Sequence, residues 1–124
     1  MNLLLKFTIV ISLLTTSLFA TSEHLRIKGN TTNLNPKAGE EFEIQLDFEL
    51  DKYWHAYTTE VQISKEGIGP QTTEIIMYPE NMVELIGEIQ FPEPSHKYDE
   101  GFEMNVNYFN NKHSYVLKLK ALKN

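Results

Sequence analysis

Histidines are the side chains of this sequence that could most readily bind a metal ion or move a proton near neutral pH. There are four, His24, His55, His96 and His113, and they fall on four different predicted elements. A metal site built on one element needs two ligands a few residues apart, and no histidine pair has that spacing. We therefore interpret the histidines as surface or interface groups and expect neither a metal ion nor a cofactor.

Groups that could support nucleophilic catalysis are equally scattered. No serine lies in a Gly-x-Ser-x-Gly motif, and most of the 17 acidic residues alternate with apolar ones, as on the solvated side of a strand. The sequence contains no cysteine, so these residues can supply neither a thiolate nor a disulfide. We predict that the chain as it stands is not an enzyme.

The segment "EFEIQLDFEL" (41–50) carries the clearest structural pattern. Apolar and polar residues alternate strictly over ten positions, which is typical of an antiparallel strand with one buried face. Burying each apolar side chain contributes roughly 1.5–3 kcal/mol relative to exposure. The predicted core consists of this apolar face and the tryptophan that follows it: Phe42, Ile44, Leu46, Phe48, Leu50 and Trp54.

Similar but mostly weaker patterns predict further strands, and turn-forming residues separate them. These strands are predicted at 24–28, 53–58, 72–78, 83–91, 102–109 and in the closing segment 114–124. With 41–50 they make about seven short strands and no helix in about a hundred residues. The predicted fold is all-β, an immunoglobulin-like antiparallel β-sandwich.

The first 22 residues have the layout of a secretory signal peptide. Lys6 precedes an apolar run, a small-residue region follows, and cleavage after Ala20 or Ser22 fits the small-residue rule. Without residues 1–22 the chain has 10 basic and 17 acidic side chains, a net charge of −7. An acidic surface repels phosphate, so we expect an exported, periplasmic domain at 23–124 that does not bind nucleic acid.

Aromatic residues crowd the segment "DKYWHAYTTE" (51–60), directly after the core strand. Tryptophan is common in sandwich cores, whereas tyrosine is also favoured at interfaces. We assign Trp54 to the core. The pattern leaves open whether Tyr53 and Tyr57 pack at the rim or contact a partner.

The order of the segments "IQLDFEL", "YWHAY", "GIGPQTTEI", "GEIQFPEP" and "YDEGFEMNVNYF" resembles the N-terminal periplasmic domain of the thiol:disulfide interchange protein DsbD, the disulfide bond corrector family. The match covers most of residues 40–121. It implies an immunoglobulin-like domain that takes electrons from a membrane redox protein and passes them to periplasmic disulfide proteins, with thioredoxin-like partners. It also implies a cap at "ELIG" (84–87), hence Leu85, Ile86 and Gly87 as partner contacts, with Tyr57 near the redox pair.

The resemblance also implies a cysteine pair just beyond the equivalent of "VLKLKALKN", whereas this chain ends at Asn124 without one. We therefore expect a domain that is incomplete at its C-terminus, whose closing strand has an unpaired edge, and which at most binds partners. The alternative is a non-redox secreted immunoglobulin-like module for binding or adhesion.

Overall fold

A computed structural model describes residues 3–4, 8–12, 19–21, 24–78 and 80–124, the first three segments as backbone only. Most of the predicted signal peptide (1–22) therefore lies outside the described residues. Three short strands fall within it: β1 (Leu3–Leu4), β2 (Thr8–Ser12) and β3 (Phe19–Thr21).

Eight strands follow between Leu25 and Ala121, and the described residues form no helix. They are β4 (Leu25–Thr31), β5 (Glu41–Leu50), β6 (Trp54–Tyr57), β7 (Glu74–Tyr78), β8 (Val83–Leu85), β9 (Ser95–Asp99), β10 (Met104–Phe109) and β11 (Lys112–Ala121). The prediction of an all-β sandwich is confirmed, with eight strands where about seven were expected.

Two antiparallel sheets pack against each other. In the first sheet the strand order is β4-β5-β11-β8, and in the second sheet it is β6-β10-β9. Strands β1 and β3 lie beside β6 and β4, while β7 pairs in parallel with β2, from Thr8 opposite Glu74 to Ser12 opposite Tyr78. Removal of residues 1–22 would take all three of these partner strands away.

The core lies between the sheets, and strands β5 and β11 provide most of it. Because side chains alternate along a strand, the ten-residue pattern of β5 places its apolar side chains on one face. Strand β11 lies antiparallel beside it, so that Phe48 is opposite His113 and Leu46 is opposite Tyr115. The interior face of β5 is almost completely buried, with Phe42, Ile44, Leu46, Phe48 and Leu50 each 5% exposed or less.

Three expectations need correction. The segment 83–91 is not one strand, because β8 ends at Leu85 and only Gln90 returns to the ladder, opposite Val116. Strand β9 lies in a segment that sequence reasoning assigned to a turn. The closing strand β11 is paired on both sides in its second half, since β5 lies along one edge and β8 covers Leu119 to Ala121 on the other.

Candidate partner-binding site

The turn between β5 and β6 presents an exposed aromatic ring. The amide of Trp54 donates to the carbonyl of Asp51 (3.1 Å), and Tyr53 within this turn has a φ of 73°. A left-handed backbone is uncommon for residues other than glycine. The Tyr53 side chain is 63% exposed, and the Lys52 ammonium lies 4.9 Å from the centroid of its ring.

Trp54 lies at the end of the sandwich and is half-buried. Its ring stacks on His24 at 3.8 Å between centroids, with an interplanar angle of 16°, and it also packs against the core. His24 Nδ1 lies 3.4 Å from Oδ2 of Asp51, and the other oxygen of this carboxylate, Oδ1, accepts from Arg26 Nη1 (3.2 Å). Trp54 thus closes one end of the core and is not one of its fully buried residues.

Tyr57 is an interior residue, which corrects the idea that it lies at an exposed rim. Its side chain is only 2% exposed, and its backbone carbonyl accepts from Thr73 Oγ1 (2.6 Å). Burial, and then the charge of Asp99, raises the pKa of its phenol. A partner could reach this ring only if the surrounding strands moved.

The segment 84–87 runs from the edge strand β8 into a bulge that follows it. Between the pairs Leu85–Leu119 and Gln90–Val116, four residues (86–89) stand opposite two, so the chain bows out of the ladder. Gly87 has a φ of 72°, a left-handed value that suits glycine, and the amide of Ile86 still donates to the carbonyl of Lys118 (2.8 Å). We call residues 86–89 the β8 bulge. Leu85 and Ile86 are half-buried and Gly87 is exposed.

A cluster on β6, β9 and β10 was not foreseen from the sequence. Lys97 Nζ lies 3.5 Å from His55 Nδ1 and 4.9 Å from the centroid of Tyr108, and the rings of His55 and Tyr108 are 4.6 Å apart. Burial, and then Lys97, lowers the pKa of His55. The pairing of β10 with β6 on one side and with β9 on the other brings these residues together, and β9 itself was missed.

The first sheet carries a second polar arrangement, at a depression of about 500 Å³ over β4, β5 and β11. Ser114 Oγ and Gln45 Nε2 donate to Asp47 (2.6 and 2.8 Å), and these two hydrogen bonds lower the pKa of the carboxyl. The hydroxyl faces a carboxylate and not an imidazole base, so the pair does not form an activated nucleophile.

Within residues 24–78 and 80–124, no group of three or more His, Cys, Asp or Glu side chains could hold a metal ion. The part of the chain with described backbone contains no helix long and apolar enough to cross a membrane.

The fold and these surfaces define an all-β sandwich domain, and the 124 residues include no cysteine. Residues 25–124 match the family model described as thiol:disulfide interchange protein DsbD, N-terminal, and the chain belongs to this family. No curated protein and no solved structure matches it. The family is periplasmic, relays electrons by thiol–disulfide exchange and implies thioredoxin-like redox partners.

Proposed function

We propose that the protein is an exported, non-redox docking domain that binds a thioredoxin-like partner without exchanging electrons with it. The observation that carries the proposal is the combination of a family fold that spans residues 25–124 with the absence of cysteine from the sequence. Thiol–disulfide exchange begins with attack by a thiolate. Without that group, recognition is what remains of the family's activity.

The contacts that we assign to the partner are Tyr53, Leu85, Ile86 and Gly87. Tyr53 is an exposed aromatic on a left-handed backbone, and such backbone strain concentrates at binding sites. The β8 bulge interrupts an edge strand, and natural bulges often re-aim side chains beside functional sites. Tyr57 is left out of this set because it is buried.

Export rests on the N-terminal residues. Lys6, the apolar run and the small residues up to Ser22 support a cleaved signal peptide, and the periplasmic location of the family supports the same route. We expect mass spectrometry of the periplasmic fraction to show a mature N-terminus at Thr21 or Glu23. A protein that retains Met1 would contradict this.

The binding test uses two tyrosines of matched exposure. Tyr53 is 63% exposed and Tyr98, on the edge strand β9, is 60% exposed. We expect the purified protein to bind a thioredoxin-like domain of the same host in isothermal titration calorimetry, and Tyr53→Ser to weaken binding about tenfold, as expected for an aromatic anchor. Tyr98→Ser should leave the Kd within about twofold, since Tyr98 lies on β9 and is not one of the proposed contacts.

A second pair of variants tests the β8 bulge. Gly87 and Gly39 both have a left-handed φ, and a methyl group at either position would meet no atom within 4 Å. Gly87→Ala and Gly39→Ala should therefore strain the backbone similarly, and only Gly87→Ala should weaken binding. Failure of the wild-type protein to bind any thioredoxin-like domain of the host would overturn the proposal.

A further inference from the structure

The loop between β6 and β7 exposes three aliphatic side chains that the proposed site does not use. Val61 is 71% exposed, Ile63 59% and Ile68 53%. Single exposed aliphatic residues are common on protein surfaces, but three within eight residues of one loop are a local concentration of apolar side chains. Such a concentration requires an explanation when the loop that carries it is held in one conformation.

This loop is fixed at its tip. The amide of Ser64 donates to the carbonyl of Ile68 (2.7 Å) and that of Gly67 donates to the carbonyl of Ser64 (2.9 Å). Gly67 has a φ of 81°. Three-residue hairpin turns need such a left-handed backbone at their last residue, a position that suits glycine. We call residues 61–69 the hairpin. Its two arms lie very close together at Gly69, so that a Cβ atom at this position would collide with the carbonyl of Gln62.

The hairpin is also tied to the second sheet by a side-chain amide. Gln62 Nε2 donates to the carbonyl of Asn107 (2.9 Å), and the amide of Asn107 donates to Gln62 Oε1 (2.6 Å). These two bonds reproduce the pattern that a neighbouring strand would make with β10. At the base of the loop, the amide of Thr73 donates to the carbonyl of Thr58 (3.1 Å).

We infer that the hairpin is a rigid docking element whose aliphatic side chains enter an apolar groove of the thioredoxin-like partner. The inference rests on the proposed function for the class of partner, and it adds a contact surface separate from Tyr53 and the β8 bulge. A preorganised loop loses little conformational entropy on binding, so its exposed side chains contribute efficiently to affinity.

Charge favours a thioredoxin-like protein as the partner of the hairpin over a lipid surface or a second copy of this chain. The hairpin region contains Glu60 and Glu66 but only one cation, Lys65, and the whole chain has a net charge of −6. An anionic lipid surface and a second acidic copy of the chain would both be repelled. A groove on a partner protein with a neutral or basic rim would not be repelled.

The test replaces the three aliphatic residues together, as Val61→Ser, Ile63→Ser and Ile68→Ser in one chain. We expect affinity for the thioredoxin-like domain to fall at least about tenfold in calorimetry. The control is Leu34→Ser, which removes an aliphatic side chain of similar exposure, 61%, from another loop. It should leave the Kd within about twofold. If the triple variant does not fold by circular dichroism, Val61→Ser replaces it, since this residue is the most exposed of the three.

A further variant distinguishes the effect of the hairpin's rigidity on affinity from the effect of its aliphatic contacts. Gln62→Met keeps all three aliphatic residues but removes both bonds to Asn107, so affinity should fall to an intermediate value. Unchanged binding by the triple variant, while Tyr53→Ser weakens binding, would overturn the inference and leave the proposed function standing. No binding by the wild-type protein would overturn both. Hairpin-dependent binding to phosphatidylglycerol vesicles, or hairpin-dependent dimerisation in analytical ultracentrifugation, would also overturn it.

Discussion

Strands β5 and β11 of the first sheet pair over nine consecutive residues, whereas β6 and β10 of the second sheet pair over only two. The long ladder joins β5 and β11 by backbone pairing alone, and its apolar side chains are buried between the sheets. The short ladder depends on side chains from the loop that follows it. Gln62 bonds to the backbone of Asn107, and Thr73 Oγ1 donates to the backbone of Tyr57.

This difference distinguishes the strands that form the structural framework from the exposed surfaces that a partner can reach. A side chain that completes a ladder also fixes the loop that carries it, as Gln62 fixes the hairpin. The exposed aromatic and aliphatic groups of our two proposals mostly lie where ladders stop: in the turn before β6, in the loop after it and in the β8 bulge. The buried apolar faces of β5 and β11 offer a partner no such access.

The largest expected effect compares one core residue from each sheet. Phe48 and Tyr57 are 1% and 2% exposed, so Phe48→Ala and Tyr57→Ala should each cost roughly 3–5 kcal/mol of unfolding free energy by leaving a cavity. Chemical denaturation measures both. A much smaller cost for Tyr57→Ala would mean that the second sheet is loosely packed and that its tyrosine is open to a partner after all.

Tyr57→Phe is the control for that comparison. The Tyr57 hydroxyl has no hydrogen-bond partner among the described residues. A buried hydroxyl without a partner does not stabilise the fold, so its removal should change the unfolding free energy by no more than about 1 kcal/mol. A large loss would show that the hydroxyl does have a partner, such as a buried water molecule.

The first sheet could be predicted from the sequence because its signal is local. Strict alternation from Glu41 to Leu50 defines both the strand and its buried face, and β5 has those bounds in the structure. Strand β11 was expected for the same reason. Its pairing on both sides was not expected, because β8 comes from a distant part of the chain. The periodicity within "SYVLKLKALKN" predicts a strand but not which strands lie beside it.

The second sheet was harder to predict because its strands are short and polar. Strand β9, "SHKYD", has no buried apolar row, and only its pairing with β10 makes it a strand. Tyr57 and Tyr53 are four residues apart and of the same type, yet one is buried and the other exposed. Tyr53 lies in the turn before β6 with a left-handed backbone that is not evident from the sequence, whereas Tyr57 lies within the strand.

His113 lies where the two sheets meet, and we expect it to make that junction sensitive to acid. It belongs to β11 of the first sheet, and its ring stacks on Phe109 of the second sheet at 4.3 Å between centroids, with an interplanar angle of 11°. The ring is 7% exposed, and neither of its nitrogens has a hydrogen-bond partner among the described residues. Burial lowers its pKa from 6.5 to about 4.

The direction of the resulting pH dependence follows from linkage. Between about pH 6.5 and pH 4 the unfolded chain binds a proton at His113 that the folded chain does not, so stability is complete above pH 6.5 and falls as the pH drops towards 4. The expected loss is roughly 2–4 kcal/mol, from 1.36 kcal/mol for each unit of pKa difference. His113→Phe, which keeps an aromatic ring against Phe109, should remove it.

The measurement is urea denaturation of both proteins at several pH values from 7.5 to 4. The difference between them isolates His113, because other groups titrate in the same range. His96, for example, has its pKa raised mainly by its hydrogen bond to Asn107, so its contribution has the opposite sign and is lost as the pH rises. The lowered pKa of Asp47 acts only below its ordinary value of 3.8. Parallel curves for the two proteins would show that His113 is solvated when folded, and that the two sheets are less tightly joined than their stacked rings indicate.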